Sequence, residues 1–188
     1  MKFLLACLIW MFALPAAIAD DALWSALRSG GHIALMRHAL APGVGDPPGF
    51  RVDDCSTQRN LSAQGREQAR ASGERFRAHG ISRAAVHSSR WCRCLETATL
   101  LGLGPVTPFA ALDSLFPDRS LEAARSEEVR ALIRAHGSLD VPLVLVTHQA
   151  NITPLSGIFP ASGEIIVLRV DGDEITVAGR IPPPAAGR

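Results

Sequence analysis

The sequence predicts an α/β fold: a three-layer α/β/α sandwich whose central sheet is mainly parallel. Two observations carry this. Short uninterrupted apolar runs, of which Ile33-Ala34-Leu35-Met36 and Leu143-Val144-Leu145-Val146 are the clearest, lack the apolar/polar alternation of a half-wet strand and suit strands covered on both faces. Between such runs lie segments with helical character, and strand–helix alternation of this kind builds a parallel sheet with helices on both sides.

Taken in order, Asp20 to Arg28 reads as a short helix capped by Asp20 or Asp21 and stopped at Gly30-Gly31. Ile33 to Met36 is the first strand, followed by a Gly/Pro-rich surface loop from Ala41 to Phe50. Ser62 to His79 is a helix, with Ser62 as N-cap and Gly80 as its stop. Ala84-Ala85-Val86 is a short strand, Arg90 to Leu101 a helix ended by Gly102, and Val106 to Ala111 a weaker strand. Leu121 to His136 places Leu121, Ala124, Val129, Leu132 and Ile133 along one helical side, with Gly137 as the stop. After the strand Leu143 to Val146, the segments Glu164 to Val170 and Glu174 to Val177 form a hairpin through Asp171-Gly172-Asp173. No internal repeat is visible.

Composition bounds what this fold can do. With 188 residues, 47% hydrophobic and 20% charged, the chain suits one globular domain with a substantial core. Lys2, Phe3 to Leu14 and Ala17-Ile18-Ala19 follow the basic, apolar and small-x-small order of an export signal, which predicts cleavage after Ala19. A retained anchor, or a lipoprotein box at Leu4-Leu5-Ala6-Cys7, is the rival; the latter leaves almost no basic leader ahead of the cleavage point. The expected organisation is therefore a signal peptide over 1–19, a domain over 20–180 and a disordered tail over 181–188, in a periplasmic protein with no stable membrane association after cleavage. Lys2 is the only lysine, so what remains carries 18 Arg against 18 Asp plus Glu. A net charge near zero offers no general attraction to nucleic acid, and anion binding must come from local placement of arginine. In an oxidising compartment Cys55 is expected to pair with Cys92 or Cys94, which stand too close to each other to be the obvious pair.

Three of the strands end alike. The runs Met36-Arg37-His38, Val86-His87-Ser88-Ser89-Arg90-Trp91-Cys92-Arg93 and Val146-Thr147-His148 turn polar where the chain leaves the sheet, and the carboxyl ends of parallel strands are where open α/β sheets bind ligands. Parallel pairing would gather two histidines and at least two arginines with no acidic residue inside the motifs. Guanidinium forks and imidazole N–H groups match the oxygens of a phosphate. Arg93, in the first turn of its helix, adds the free N–H groups of a helix start, and Arg59 with Asn60, ahead of the second helix, are further phosphate candidates.

Leu35-Met36-Arg37-His38-Ala39, Ser88-Ser89-Arg90-Trp91-Cys92-Arg93-Cys94-Leu95-Glu96-Thr97-Ala98 and Val146-Thr147-His148 together resemble the three blocks of the histidine phosphatase superfamily, the phosphoglycerate mutase-like fold. The likeness runs from about Gly31 to Val170 and takes in Leu61 to Ala69. It implies a metal-independent, cofactor-free phosphatase acting on small-molecule phosphate esters. His38 would attack phosphorus and form a phosphohistidine that water hydrolyses, while Arg37, Arg93 and His148 hold the phosphoryl oxygens. The family's proton donor, commonly a Glu after the third strand, has no counterpart in Leu112 to Arg119, which contains no Glu. Asp118 is the nearest substitute, with Asp113 behind it. Export points to a periplasmic phosphate ester, and phosphorylated lipopolysaccharide sugars are among the substrates the resemblance includes.

Duller readings compete with these. A pocket that binds phosphate without turning it over is one; a metal site built from Cys92, Cys94, His38 and His148 is another, disfavoured by the cation of Arg93 between the cysteines. His32, His79 and His136 read as surface residues. His87 reads as a strand-end histidine, and Arg90 as a substrate contact or a solvated side chain.

Overall fold

The computed structural model describes residues 16–136 and 141–185. Most of the expected leader, the helix stop at Gly137 and the last three residues of the tail lie outside the described residues. Six strands form one sheet in the order β3-β2-β4-β1-β5-β6, with β1 at His32–Arg37, β2 at Ala85–Ser88, β3 at Val106–Pro108, β4 at Leu143–Thr147, β5 at Ile165–Asp171 and β6 at Glu174–Ile181. The first four run parallel, and β5 and β6 close one edge as an antiparallel hairpin.

The apolar runs are divided between two cores by the two-residue period of a strand. Ala34, Met36, Val144 and Val146 face α1 (Ala16–Ser29), α2 (Ala63–Ala78) and α3 (Cys92–Leu101), packing with Trp24, Leu27, Phe76 and Leu101. Ile33, Leu35, Leu143 and Leu145 face the other way, onto Val129 and Ile133 of α4 (Glu122–His136) and Ile152 of α5 (Gln149–Ser156). Alternate residues of one continuous apolar run thus feed opposite layers, which is why β1 and β4 show no polar face and why the molecule has three layers.

Backbone approaches fix how α2 sits. A Cβ on Gly65 would lie 2.0 Å from the Leu40 carbonyl oxygen, and one on Gly73 2.1 Å from that of Leu101. No side chain fits at either place, so α2 lies against both α3 and the segment leaving β1. Ser62 caps α2 by accepting from Gly65 N, as expected, and its own N–H donates to the Leu40 carbonyl.

Several expectations need correction. The helix α5 was not foreseen: Pro154 inside it and its polar start suppress the helical pattern, although Gly157 in the left-handed region at its end is an ordinary stop. Strand β3 ends at Pro108, and Ala110–Leu112 is a 3-10 turn instead of strand. The last strand reaches Ile181, which is fully buried, so the tail starts later than 181; Arg75 donates to the Pro182 carbonyl at 2.6 Å. His136 is buried and bonds the Val141 carbonyl, and His79 stacks on Trp24 with ring centroids 4.7 Å apart. Neither is a simple surface residue. Among the described residues, no helix is long and apolar enough to cross a membrane.

Candidate active site

Strands β2, β4 and β1 are neighbours, so their carboxyl ends meet. His38 N donates to the Thr147 carbonyl and Ser89 N to that of Val146, which carries the ladder one residue past each strand and locks the three polar ends side by side. Arg37, His38, Arg59, Arg93 and His148 all line one cleft of about 160 Å³, together with Asp46, Ser114, Phe116, Gln149, Phe159 and the Gly43–Gly45 stretch.

His38 is 2% exposed, and its Nδ1 lies 2.8 Å from the Ala39 carbonyl oxygen. That oxygen can only accept, so Nδ1 carries the proton and the lone pair sits on Nε2. Burial, then the charge of Arg93, lowers its pKa to about 3 against the opposing pull of the Ala39 bond; the ring is a neutral imidazole at neutral pH. His148, its centroid 5.4 Å away, is also held well below the ordinary value, by burial first and then by His38 and Arg93. Its Nε2 meets the Ser89 hydroxyl at 2.9 Å, and that hydroxyl donates on to Asp113 at 3.3 Å. The chain of partners leaves Nε2 as the protonated nitrogen and Nδ1 as acceptor for Arg93.

The arginines are desolvated. Burial lowers the pKa of Arg37 and of Arg59, with Arg93 adding repulsion to each. Arg93 is 3% exposed and paired with Asp46 at 2.7 Å. Three guanidinium groups face a single carboxylate across the cleft. The excess of two positive charges matches a phosphomonoester dianion. Four buried side-chain nitrogens among the described residues lack any hydrogen-bond partner, and two of them are Nε of Arg37 and Nε of Arg93. A buried donor without an acceptor costs about 1–3 kcal/mol.

Asp46 was not singled out by the sequence; its only signal is an acidic residue between Gly45 and Pro47 in a loop after Arg-His. It accepts from both terminal nitrogens of Arg93, from Trp91 Nε1 and from Arg59 N. Burial pushes its carboxyl up, but those bonds and the Arg93 charge outweigh burial and hold it low. Arg59 in turn donates to the carbonyls of Gly45 and Ala41. The Cys55–Cys92 disulfide, one of the two pairings left open, clamps this loop to the start of α3 with 5.6 Å between Cα atoms. Gln58 Oε1 takes the Cys92 N–H, so one amide of that helix start is already spent.

The proton donor expected from the sequence is not in the cleft. Asp118 caps the 3-10 turn Arg119–Leu121, accepting from Ser120 N and Oγ, and those bonds hold its carboxyl low. An aspartate two residues ahead of a serine makes that local bond more readily than it reaches a distant site. Asp113 is fully buried and bonded to Arg90 through the backbone N, Nε and Nη2. Arg90 is therefore a counter-charge rather than a substrate contact. Asn60 bonds the carbonyls of Cys55 and Gln58, and His87 packs on Phe109; neither lines the cleft. Cys92 is consumed by the disulfide and Cys94 is buried, its thiol raised to about 12 chiefly by burial, so the four-donor metal set does not exist.

Comparison with known proteins agrees with this geometry. The model of the histidine phosphatase superfamily (branch 1) matches residues 33–115. Among solved structures, the protein histidine phosphatase SixA complexed with tungstate is 14% identical, with 80% of this chain and 96% of that one covered and a TM-score of 0.58. SixA from Agrobacterium tumefaciens is 19% identical over 82% of this chain and 99% of that one, with a TM-score of 0.57. A mycobacterial glucosyl-3-phosphoglycerate phosphatase complexed with VO3 is 17% identical over 73% and 92%, with a TM-score of 0.53. At these identities the likeness is one of fold. No curated protein matches the sequence.

Proposed function

We propose that the chain is a phosphatase of the histidine phosphatase superfamily, whose model matches residues 33–115, and that it hydrolyses phosphomonoesters through a phosphohistidine on His38. The observation that carries the mechanism is the pairing of a neutral, Nδ1-protonated His38 with Arg37, Arg59 and Arg93 in the lining of one cleft. His38 Nε2 attacks phosphorus, the bond to the ester oxygen breaks, and water later attacks the phosphohistidine to release phosphate. Arg37, Arg59 and Arg93, with His148 beside them, bind the phosphoryl oxygens and offset the charge of the transition state. Two of the similar structures hold tungstate or VO3, oxyanions that resemble phosphate, which supports this use of the pocket.

No acid stands ready for the leaving group. Among the described residues Asp46 is the only carboxylate lining the cleft, and it is spent on Arg93. Rates should therefore fall steeply as the leaving alcohol becomes less acidic. The lipopolysaccharide sugar expected from the sequence gains no support from the lining, whose polar side chains beyond the phosphate cluster are Ser114 and Gln149.

Export remains part of the reading. The Lys2, apolar and Ala17-Ile18-Ala19 order supports it, as does a disulfide of the kind that oxidising compartments keep. Cleavage after Ala19 would retain Trp24 and Leu27 in the core and Asp20 within 3.4 Å of Arg75.

The test is release of nitrophenol from 4-nitrophenyl phosphate in EDTA, with rapid-quench trapping of acid-labile phosphate on the protein. His38→Ala should lower the rate by at least ~10⁴-fold and abolish the trapped phosphate. A variant that keeps most of its rate overturns the nucleophile. No turnover by the intact protein, with phosphate still bound, would favour a silent phosphate-binding pocket.

A further inference from the structure

Above the polar floor the cleft has an apolar rim. Val44 is 86% exposed, Phe116 58% and Phe159 69%. All three line the cleft that holds His38 and the arginines. They make up three of the five large hydrophobic side chains exposed among the described residues.

They reach it from three separate segments. Val44 stands between Gly43 and Gly45 in the loop after β1. Phe116 follows β3 and packs against the Gly45 backbone, where a Cβ would lie 3.3 Å from its ring. Phe159 precedes Pro160, whose carbonyl takes the Arg37 Nη1 bond at 2.8 Å. Phe159 thus adjoins the carbonyl that anchors Arg37, and Phe116 rests on the loop that carries Val44. Scattered exposed hydrophobics are ordinary, but a contiguous patch bordering a polar site marks a ligand surface.

Resting on the phosphatase reading above, we propose that this rim receives the alcohol of the substrate, and that the substrate is a phosphomonoester with an aryl or alkyl body next to the phosphate. A dianion seated on Arg37, Arg59 and Arg93 leaves its ester oxygen facing the cleft mouth, where the first groups it meets are apolar. A sugar would lay hydroxyls against Phe116, Phe159 and Val44 with only Ser114 and Gln149 to bond them.

The proposal is tested with ethyl, butyl and hexyl phosphate, whose leaving alcohols have nearly the same acidity. The ratio kcat/KM should rise about 10-fold or more from ethyl to hexyl, on the scale of a few methylenes in an apolar site. F116S with F159S should flatten that series, and glucose 6-phosphate should be no better than ethyl phosphate in the unaltered protein. A flat series in the unaltered protein, or a preference for the sugar ester, overturns the proposal while the phosphatase reading stands. Binding supplies a readout that needs no turnover: hexylphosphonate should bind about 10-fold tighter than methylphosphonate, with the difference lost in F116S/F159S. Equal affinities overturn the proposal whatever the turnover. Phosphatidylcholine vesicles, whose headgroup is a phosphodiester and not a monoester, give a third outcome; binding that is lost in F116S/F159S, without chain-length dependence, would assign the rim to a membrane surface instead.

Discussion

The floor and the outer wall of the cleft are held by different means. The floor is backbone: the sheet ladder runs on through His38 N to Thr147 and Ser89 N to Val146, so Arg37, His38 and His148 are placed by strands buried on both faces. The wall, residues 39–61, has no long element of its own. It is held by side chains, Asp46 on Arg93 and Trp91, Arg59 on two carbonyls, Gln58 on Cys92, and by one disulfide. Side chains on rigid elements are placed accurately for chemistry, whereas a side-chain-tethered loop can change its contacts without disturbing the sheet.

Breaking the joint between the two regions should cost most. Arg93→Ala removes a phosphate ligand from the floor and strands the Asp46 carboxylate, which is 4% exposed. The expected loss is about 10³-fold in kcat/KM for nitrophenyl phosphate, equivalent to ~4 kcal/mol. A loss under 10-fold would remove Arg93 from the transition state. The wall alone should behave otherwise. Cys55→Ser, or reduction of Cys55–Cys92, should lower stability by about 2–4 kcal/mol in denaturant unfolding, with KM rising more than kcat falls. An equal collapse of kcat would mean that the wall, too, places reacting atoms.

Acid probes the floor. The unfolded chain protonates this histidine below the ordinary imidazole value near 6.5, while His38 in the fold stays neutral down to about 3. Stability should therefore fall as pH drops across that interval, because the unfolded state binds the extra proton. Thermal unfolding at pH 7 and 4.5 should show a loss on the order of 2 kcal/mol from this residue, reduced in His38→Asn; an undiminished loss would place the acid sensitivity elsewhere. The smallest effect belongs to Asp118→Asn. Its carboxylate is exposed and serves Ser120, so nitrophenyl and alkyl phosphate rates should both stay within about 2-fold, and stability within ~0.5 kcal/mol. A selective loss on alkyl phosphates would restore it as the acid.

The same contrast explains what the sequence disclosed. The floor was legible because continuous apolar runs ending in Arg37-His38 and Thr147-His148 report both strand and edge. The wall was not, because a lone Asp46 in a Gly/Pro-rich loop has no period to announce which cation it will meet. Asp113 and Asp118 were misjudged for a related reason. Each had a nearer partner, Arg90 or Ser120, and sequence distance from the strand end says nothing about which partner wins. Of the two cysteine pairings left open, only the fold selects Cys92, since Cys94 points into the core beneath His148.

The position of β1 has a consequence for how the molecule comes into being. This early strand sits inside the sheet, with Ile33 opposite Leu143 on one side and Leu168 on the other. Both partners belong to the last third of the chain, so during synthesis β1 waits unpaired until that third has been made. Topologies dominated by such distant pairings fold slowly and expose apolar edges meanwhile. The catalytic floor cannot exist in any shorter nascent chain: His38 gains its place only when the strand carrying Thr147 arrives beside it.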